Sequence, residues 1–272
     1  MNLEFHKMQG AGNDFVVLDY RARPFDLGVA QMAVLFDRHF GVGCDQIIVL
    51  QAPREPGSDA SIRFFNQDGS ESAACGNGTR CAAALIAAEL ASARIRLDGL
   101  AGPLDAEVLQ GGQVQVDMGP ARLAWHDVPL SREMDTLHLD IEGGPAACSM
   151  GNPHATLFVE DLAQVDAREL GPTIERNPLF QDRCNVGFAQ VLAPDRIRLV
   201  VWERGAGLTL ACGSGACAAV VNAHRRGLSA RNCTVEMPGG ILQVAWREDG
   251  HVLLSGPTAV VFTGCIEVAA AS

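Results

Sequence analysis

Two stretches of this sequence repeat one pattern: ESAACGNGTRCAAAL at residues 71–85 and LTLACGSGACAAVV at residues 208–221. Each contains Cys-Gly-x-Gly and runs directly into alanine-rich sequence. Aligning the two places Cys75 on Cys212, an offset of 212 − 75 = 137 residues in a chain of 272. This offset is nearly half the chain and is far too long for a solenoid repeat, so it predicts a duplicated unit.

Three further pairs of segments follow the same order in both halves. They are IRFFN (62–66) with LVVWE (199–203), Gly119-Pro120 with Gly256-Pro257, and, with a small shift, NDFVVLD (13–19) with ATLFVED (155–161). Four matches in one order indicate that each half contains the same series of elements.

Each half begins with β runs, continues with an alanine-rich helix, and ends in alternating β segments closed by Gly-Pro. The helices are predicted over Thr79–Ala91 and Ala216–Arg226. A helix without a polar face is expected to be buried, with the strands of a sheet packed around it. We therefore predict an α+β fold of two pseudo-symmetric domains, residues 1–119 and 120–272, each a sheet wrapped around its central helix. The active site is expected in the cleft between them, and the last strand has the alternative of packing back on the first domain.

The composition excludes several classes of protein. Hydrophobic residues make up 48% and charged residues 19% of the chain, as in a folded globular protein, and the net charge of −11 comes without a lysine-arginine run that would bind nucleic acid. No apolar stretch reaches the roughly 18 residues of a membrane span, and the N-terminus does not resemble a signal peptide. We expect a cytoplasmic protein with no nucleic-acid or membrane partner.

The nine cysteines do not suggest a disulfide framework or a metal site. Their number is odd, and no Cys-x-x-Cys occurs, because Cys75 and Cys81 are six apart and Cys212 and Cys217 five. Most of them are expected to be small buried hydrophobic residues. Cys44, Cys81 and Cys217 are placed in this group.

The two aligned cysteines differ from the others because each immediately precedes a predicted helix. The first N–H groups of a helix are unpaired and form a site for a carboxylate. The helix dipole favours thiolate, so we expect a lowered pKa for both Cys75 and Cys212. A thiolate and a thiol on opposite faces of a carbon can remove one proton and return another, which inverts that carbon. The structural alternative is that both cysteines are buried and inert.

Seven blocks of the sequence resemble the diaminopimelate epimerase family, and together they span nearly the whole chain. They are MQGAGNDFVVLD (8–19), GVGCDQIIV (41–49), FFNQDGSESAACGNGTRC (64–81), SMGNPH (149–154), CNVGFAQV (184–191), ERGAGLTLACGSGACAA (203–219) and MPGG (237–240). The resemblance implies a metal-free epimerisation without pyridoxal phosphate or any other cofactor. It would interconvert LL- and meso-2,6-diaminopimelate in lysine and cell-wall precursor biosynthesis.

The resemblance also assigns roles to individual residues. Cys75 and Cys212 become the catalytic acid–base pair, and His154 and Glu203 the residues that tune their acidity. The backbone cradle for the carboxylate at the reacting centre comprises Gly76, Asn77, Gly213 and Ser214. The remaining substrate-binding positions are Asn13, Gln46, Asn66, Asn152, Asn185, Glu203 and Arg204. Arg204 can bind a carboxylate with two hydrogen bonds, and the asparagines supply neutral donors and acceptors.

Other interpretations of these residues remain open. As isolated features, the asparagines and His154 are ordinary turn residues, and Glu203-Arg204 is an ordinary solvated pair. GAGNDF (10–15) is not a dinucleotide loop, since it lacks a third glycine and leads into a β run. A proline, hydroxyproline or histidine racemase of the same architecture is the alternative enzyme. An amino-acid-binding module with inert cysteines is the alternative from another class.

Two positions depart from the family pattern. Leu208 stands where a polar residue is common, and Phe262 where some members have a tyrosine at a dimer contact. Neither position belongs to the expected chemistry. A homodimer is still expected from the resemblance, although Phe262 weakens the inference about its contacts.

Overall fold

The computed structural model describes residues 1–72, 75–100 and 102–269, which form two compact units. Among these described residues, the first unit comprises those within Met1–Val116 and Gly256–Ser272, and the second comprises those within Asp117–Ser255. The division lies close to the predicted boundary between residues 119 and 120, and the residues after Ser255 group with the first unit.

The elements of the described residues follow in order, with 3₁₀ turns at Gln110–Gly112 and Leu162–Gln164. Up to the division they are β1 (Asn2–Gly10), β2 (Asn13–Tyr20), α1 (Val29–Phe36), β3 (Gln46–Gln51), β4 (Ala60–Asn66), β5 (Glu71–Ser72), α2 (Gly76–Leu90), β6 (Arg94–Gly99), β7 (Gly102–Val108) and β8 (Val114–Pro120). After it come β9 (Ala146–Ser149), β10 (Pro153–Phe158), α3 (Ala167–Glu175), β11 (Asn185–Ala193), β12 (Arg196–Glu203), β13 (Gly207–Thr209), α4 (Gly213–Arg225), β14 (Asn232–Met237), β15 (Gly240–Trp246), β16 (His251–Gly256) and β17 (Ala259–Glu267).

Strand pairing in the first unit alternates parallel and antiparallel neighbours. β2 pairs with β3 in parallel, β3 with β4 antiparallel, and β4 with both the short β5 and, in parallel, β6. β6, β7 and β8 then continue antiparallel. β1 lies antiparallel between β2 and β17.

The second unit repeats this pairing strand for strand. β10 is parallel to β11, β11 is antiparallel to β12, and β12 carries the short β13 and, in parallel, β14. β14, β15 and β16 follow antiparallel, and β9 pairs with β10 as β1 does with β2. The predicted duplication and α+β class are therefore confirmed.

Apolar side chains cover both faces of the first unit's sheet. Val16 and Leu18 pack in one cluster with Leu35 of α1. Their neighbours Phe15 and Val17 are equally buried, and the two-residue period of a strand turns them to the opposite face. The second unit has a corresponding cluster that includes residues of α3.

The alanine-rich helices α2 and α4 are mostly buried, as predicted for central helices. Both begin three residues before the predicted starts at Thr79 and Ala216, at Gly76 and Gly213. The physical reason is that the first turn of a helix has no intrahelical N–H bonds, so glycine costs less there than in a helix interior. Within the described ranges, no helix is long and apolar enough to cross a membrane.

Candidate active site

Cys75 is the N-cap residue of α2 and is partly exposed. Its Sγ accepts a hydrogen bond from the Gly78 N–H at 3.3 Å. The same sulfur lies 4.0 Å from Oδ1 of Asn13. The first cysteine thus has an N–H donor on its helix side and an amide oxygen beside it.

The other predicted residues of the first unit lie at one end of its sheet. Asn13 begins β2, Gln46 begins β3, and Asn66 ends the antiparallel β4, so all three lie at the same end of these strands. Gln46 donates from Nε2 to Oδ1 of its register partner Asn66 at 2.8 Å. Asn77, in the first turn of α2, donates from Nδ2 to Asn13 Oδ1 at 3.3 Å. The first unit therefore brings together a group of neutral amides next to a thiol.

Cys212 is the N-cap of α4 and corresponds to Cys75, but its surroundings differ. It is buried, and its Sγ lies 3.6 Å from the Ser214 Oγ. Burial raises the pKa of the Cys212 thiol well above its ordinary value, and the charge of Glu203 raises it further. The Ser214 hydroxyl and the Gly215 N–H oppose that rise without reversing it. The expectation of a lowered pKa at Cys212 was wrong, because desolvation of the thiolate outweighs the helix N-terminus.

Glu203 ends β12, immediately before the turn into β13, where its carboxylate accepts a hydrogen bond from the Thr209 hydroxyl at 2.6 Å. A second carboxylate, that of Glu175, binds residues next to this turn. Glu175 of α3 is buried, and it accepts from the Trp202 indole N–H at 2.7 Å and from the Gly205 N–H at 3.2 Å. Glu175 was not among the predicted site residues. It binds the residues on both sides of the Glu203-Arg204 pair.

The remaining predicted residues of the second unit are joined by hydrogen bonds at the starts of β10 and β11. Asn185 accepts from the Arg204 backbone N–H at 3.0 Å and donates to the Pro153 carbonyl at 3.2 Å. His154 Nε2 and Asn152 Oδ1 are 2.9 Å apart. Burial, reinforced by the charge of Arg204, lowers the pKa of His154 to about 3. His154 is therefore a neutral imidazole at physiological pH.

Arg204 is exposed, and its guanidinium donates to the Asp182 carbonyl at 2.9 Å. An arginine side chain has five N–H donors, and this hydrogen bond uses one of them. An exposed guanidinium anchored through one nitrogen can still bind a carboxylate with two hydrogen bonds.

The last glycine of each Cys-Gly-x-Gly sequence lets its helix approach the sheet closely. A Cβ at Gly78 would lie 2.7 Å from the Phe64 ring, and one at Gly215 would lie 3.0 Å from Val201. Phe64 and Val201 are themselves related by the offset of 201 − 64 = 137 residues. These glycines are therefore needed for packing as well as for access to backbone N–H groups.

The cysteines assigned to packing are buried. Burial raises the pKa of Cys44 and Cys81 to about 12, which makes them poor nucleophiles and poor bases at neutral pH. Cys217 is fully buried inside α4. Cys265, on β17, is exposed.

The sequence resembles known proteins over nearly its whole length. The family model described as diaminopimelate epimerase matches residues 5–124 and 146–261. A diaminopimelate epimerase from Acidiphilium cryptum is 58% identical over 269 residues, covering 97% of this chain and 96% of that protein. One from Gluconobacter oxydans is 55% identical over 264 residues, covering 97% and 99%.

Solved structures with the same fold are more distant in sequence. A hydroxyproline epimerase from Agrobacterium vitis has a TM-score of 0.70 at 13% identity and covers 97% of this chain and 92% of its own. A phenazine biosynthesis protein of the PhzF family from Bacillus anthracis also has a TM-score of 0.70 at 13% identity, covering 98% and 100%. These likenesses show the fold alone. The family match over most of both units and the high identity to the curated relatives go further, and by them the chain belongs to the diaminopimelate epimerase family.

Proposed function

We propose that this chain is an isomerase that interconverts LL- and meso-2,6-diaminopimelate by moving a proton between two cysteines, without pyridoxal phosphate. One observation carries the proposal: Cys75 and Cys212 are the N-cap residues of equivalent helices in two units with the same strand pairing. Family membership supplies the substrate and the place of the reaction in lysine biosynthesis.

The reaction requires one group to remove the Cα proton and another to return a proton from the opposite face. The Cα–H bond breaks and an S–H bond forms on the base, while the electron pair stays on Cα. The S–H bond of the opposing thiol then breaks as a new Cα–H bond forms with inverted configuration. The two sulfurs exchange roles in the reverse reaction, so no cofactor is consumed.

The different surroundings of the two sulfurs support a division of roles in the resting enzyme. Burial and the charge of Glu203 both raise the pKa of Cys212, so Cys212 supplies the thiol. Cys75 is the partly exposed cysteine and accepts an N–H hydrogen bond, an interaction that favours the thiolate. Cys75 is therefore the base toward the isomer whose Cα proton faces it, and Cys212 is the acid in that direction.

The carboxylate at the reacting centre binds backbone N–H groups at the starts of α2 and α4, at Gly76, Asn77, Gly213 and Ser214. There the helix N-termini also stabilise negative charge as it develops. The second amino-acid head of diaminopimelate carries a carboxylate and an ammonium. Arg204 binds the carboxylate and Glu203 accepts from the ammonium. The amides complete the set: Asn13, Gln46, Asn66, Asn152 and Asn185.

Deuterium exchange tests the reaction directly. Purified protein in D2O is expected to form meso-diaminopimelate from the LL isomer with deuterium at one Cα, as read by NMR and mass spectrometry. Proline, hydroxyproline and histidine are expected to remain unlabelled. Binding of diaminopimelate without incorporation would instead indicate an amino-acid-binding module, and labelling of proline or histidine alone would indicate another racemase.

Serine substitutions test the two-cysteine mechanism. Cys75→Ser and Cys212→Ser are each expected to lower kcat by at least about a thousandfold, because a serine hydroxyl is a far weaker acid than a thiol and stays protonated near neutral pH. Cys265→Ser, which changes the exposed cysteine of β17, is the matched control and should retain activity. Full turnover by either of the first two variants would contradict the mechanism.

Self-association and location in the cell follow from the same proposal. The surface that we assign to a homodimer lies on β17, where Val260, Val261 and Phe262 are about half-exposed. Apolar side chains grouped in this way are typical of protein interfaces. Sedimentation equilibrium is expected to give a dimer for the wild type and a monomer for Phe262→Asp.

We place the enzyme in the cytoplasm, and fractionation of its host cells would test that placement.

A further inference from the structure

Four polar side chains of the first unit form a continuous line of hydrogen bonds that passes beside Cys75. Asn13 Nδ2 donates to Asp45 Oδ2 at 2.8 Å. Asn77 Nδ2 donates to Asn13 Oδ1 at 3.3 Å, and Arg80 Nη2 donates to Asn77 Oδ1 at 2.9 Å. Only the two central amides belong to the family's substrate-binding set.

The chemistry of the two end residues fixes the direction of every bond in the line. An ionised carboxylate only accepts hydrogen bonds, and a guanidinium only donates them. Asn13 must therefore turn its NH2 toward Asp45, and Asn77 must turn its oxygen toward Arg80. A side-chain amide between two neutral partners could adopt either orientation. Here the charged ends select one orientation for both amides.

The selected orientation determines what faces the sulfur. With its NH2 bound to Asp45, Asn13 presents Oδ1 to Cys75 at 4.0 Å. The opposite orientation would present an N–H donor. The sulfur therefore has an acceptor suited to its thiol form at Asn13 and a donor suited to its thiolate form at Gly78. An atom that alternates between base and acid is served by both.

We propose that Asp45 and Arg80 are positioning residues that act through the two amides to hold an oxygen acceptor against Cys75. The proposal rests on the acid–base role proposed for Cys75. Neither residue needs to touch the substrate for this purpose. Asp45 acts at one end by accepting from Asn13, and Arg80 acts at the other by donating to Asn77.

Both ends are well anchored. Arg80 is fully buried, and its Nη1 also donates to the Gly76 carbonyl at 3.4 Å. Asp45 accepts from the Asp14 N–H at 3.1 Å and from Arg38 Nη2 at 2.8 Å. Such anchors hold a carboxylate in place. Among the described residues, the charged groups around this line include Asp45, Arg38, Asp14, Arg80 and, through Asp14, Lys7.

Alkylation of Cys75 by iodoacetamide across a pH series, with the modified peptide quantified by mass spectrometry, tests the proposal without any need for turnover. Asp45→Asn leaves the shape of the side chain but supplies an amide that can also donate, so the flipped orientation of Asn13 is no longer excluded at this end of the line and is opposed only from the Asn77 end. At a fixed pH below the midpoint of the alkylation curve, Cys75 is expected to be alkylated faster than in the wild type. The reason is that a flipped Asn13 amide donates an N–H to the Cys75 thiolate.

Removing a negative charge would also favour the thiolate, and a double-mutant cycle with Asn13→Ala separates the two causes. In the Asn13→Ala background only the charge effect remains. We expect Asp45→Asn to accelerate alkylation about threefold more with Asn13 present than without it, which equals a midpoint difference of about half a pH unit. Equal acceleration in both backgrounds would overturn the proposal.

Two additions keep the outcome decisive. Asp45→Ser serves as a second variant if Asp45→Asn does not fold, and the same cycle applies to it. Epimerase activity is measured on every sample in parallel. If the effects of the Asp45 and Asn13 substitutions on alkylation are coupled but the wild-type protein does not epimerise diaminopimelate, only the proposed function is contradicted. If the wild-type protein epimerises diaminopimelate but the two effects are not coupled, only the positioning role is contradicted.

Discussion

The backbone of Gly78 lies directly against the ring of Phe64, so closely that a Cβ on the glycine would be 2.7 Å from Cε1. The corresponding residues of the second unit repeat this relationship, with a Cβ of Gly215 placed 3.0 Å from Val201. In both units, contact between helix and strand sets how far the cysteine at the helix N-cap projects. The thiol positions are thus determined by packing one turn further along the helix.

Adding a methyl group at these glycines is expected to cost stability and activity. Gly78→Ala forces the Phe64 ring or α2 to move, which should lower the free energy of unfolding by about 1 to 3 kcal/mol. Gly215→Ala also presses on the Cys212 sulfur, which would be 3.2 Å from the new Cβ, so kcat should fall as well. Urea unfolding and steady-state kinetics measure both effects.

Gly28→Ala is the matched control, because only the Gln31 Oε1, at 3.5 Å, would be near its Cβ. Its free energy of unfolding should stay close to the wild-type value. If Gly78→Ala proved as stable as Gly28→Ala, the close approach of α2 to β4 would be contradicted.

Glu203→Gln is expected to make Cys212 more reactive toward alkylating reagents. Burial is the largest cause of the raised pKa of Cys212, and the charge of Glu203 is the second. Neutralising Glu203 removes only the second contribution, so the pKa should fall but stay above its ordinary value. Peptide mass spectrometry of iodoacetamide-treated protein follows Cys212 specifically. Glu248→Gln removes an exposed carboxylate of the same unit and should leave the rate unchanged.

His154 should make stability depend on pH in a defined window. Its pKa is about 3 in the folded protein against 6.5 ordinarily, so between these values the unfolded chain binds the extra proton. The contribution to stability is complete above pH 6.5 and is lost progressively as the pH falls toward 3. The slope attributable to this group is at most about 1.4 kcal/mol per pH unit.

Comparing urea unfolding at about pH 7.5 and about pH 5 for the wild type and His154→Gln checks this linkage. The variant should lose less stability on acidification than the wild type. His39→Gln, which changes an exposed histidine, should behave like the wild type. An unchanged difference between the two pH values in His154→Gln would show that the pKa of His154 is not lowered in the folded state.

Replacing Glu175 should affect stability and catalysis together. Glu175→Ala leaves the Trp202 indole and the Gly205 N–H without their carboxylate, at a cost of about 1 to 3 kcal/mol. The turn that holds Glu203 and Arg204 then loosens, so kcat should fall and KM should rise. Glu175→Gln keeps one acceptor oxygen and should be intermediate. Glu169→Ala, an exposed position on the same helix, is the control.

Much of this architecture follows from the repeat in the sequence. The offset between Cys75 and Cys212 places two helices, their preceding strands and the closing β segments without any information on contacts. The helix starts are less accessible to sequence reasoning. Glycine has poor helix propensity, so the Gly-x-Gly segments read as loop, although close packing makes glycine necessary there.

Interactions between distant parts of the chain account for what the sequence does not reveal. The pKa of Cys212 depends on burial and on Glu203, and a helix-dipole argument includes neither. Asp45 is 32 residues from Asn13, and Glu175 is 27 residues from Trp202. In the sequence both look like ordinary surface carboxylates. Only the folded chain places them beside residues of the candidate site.

The strand β17 has a consequence for the order in which the chain folds. It pairs along β1, and the Val268 N–H donates to the Met1 carbonyl, so the start of the chain gains this neighbour only after residues 259–268 have been synthesised. The second unit is continuous, from Asp117 to Ser255, and all of its sequence has been translated before then. On the ribosome, the half of the protein translated second can therefore be the first to complete its fold, while β1 waits with one open edge.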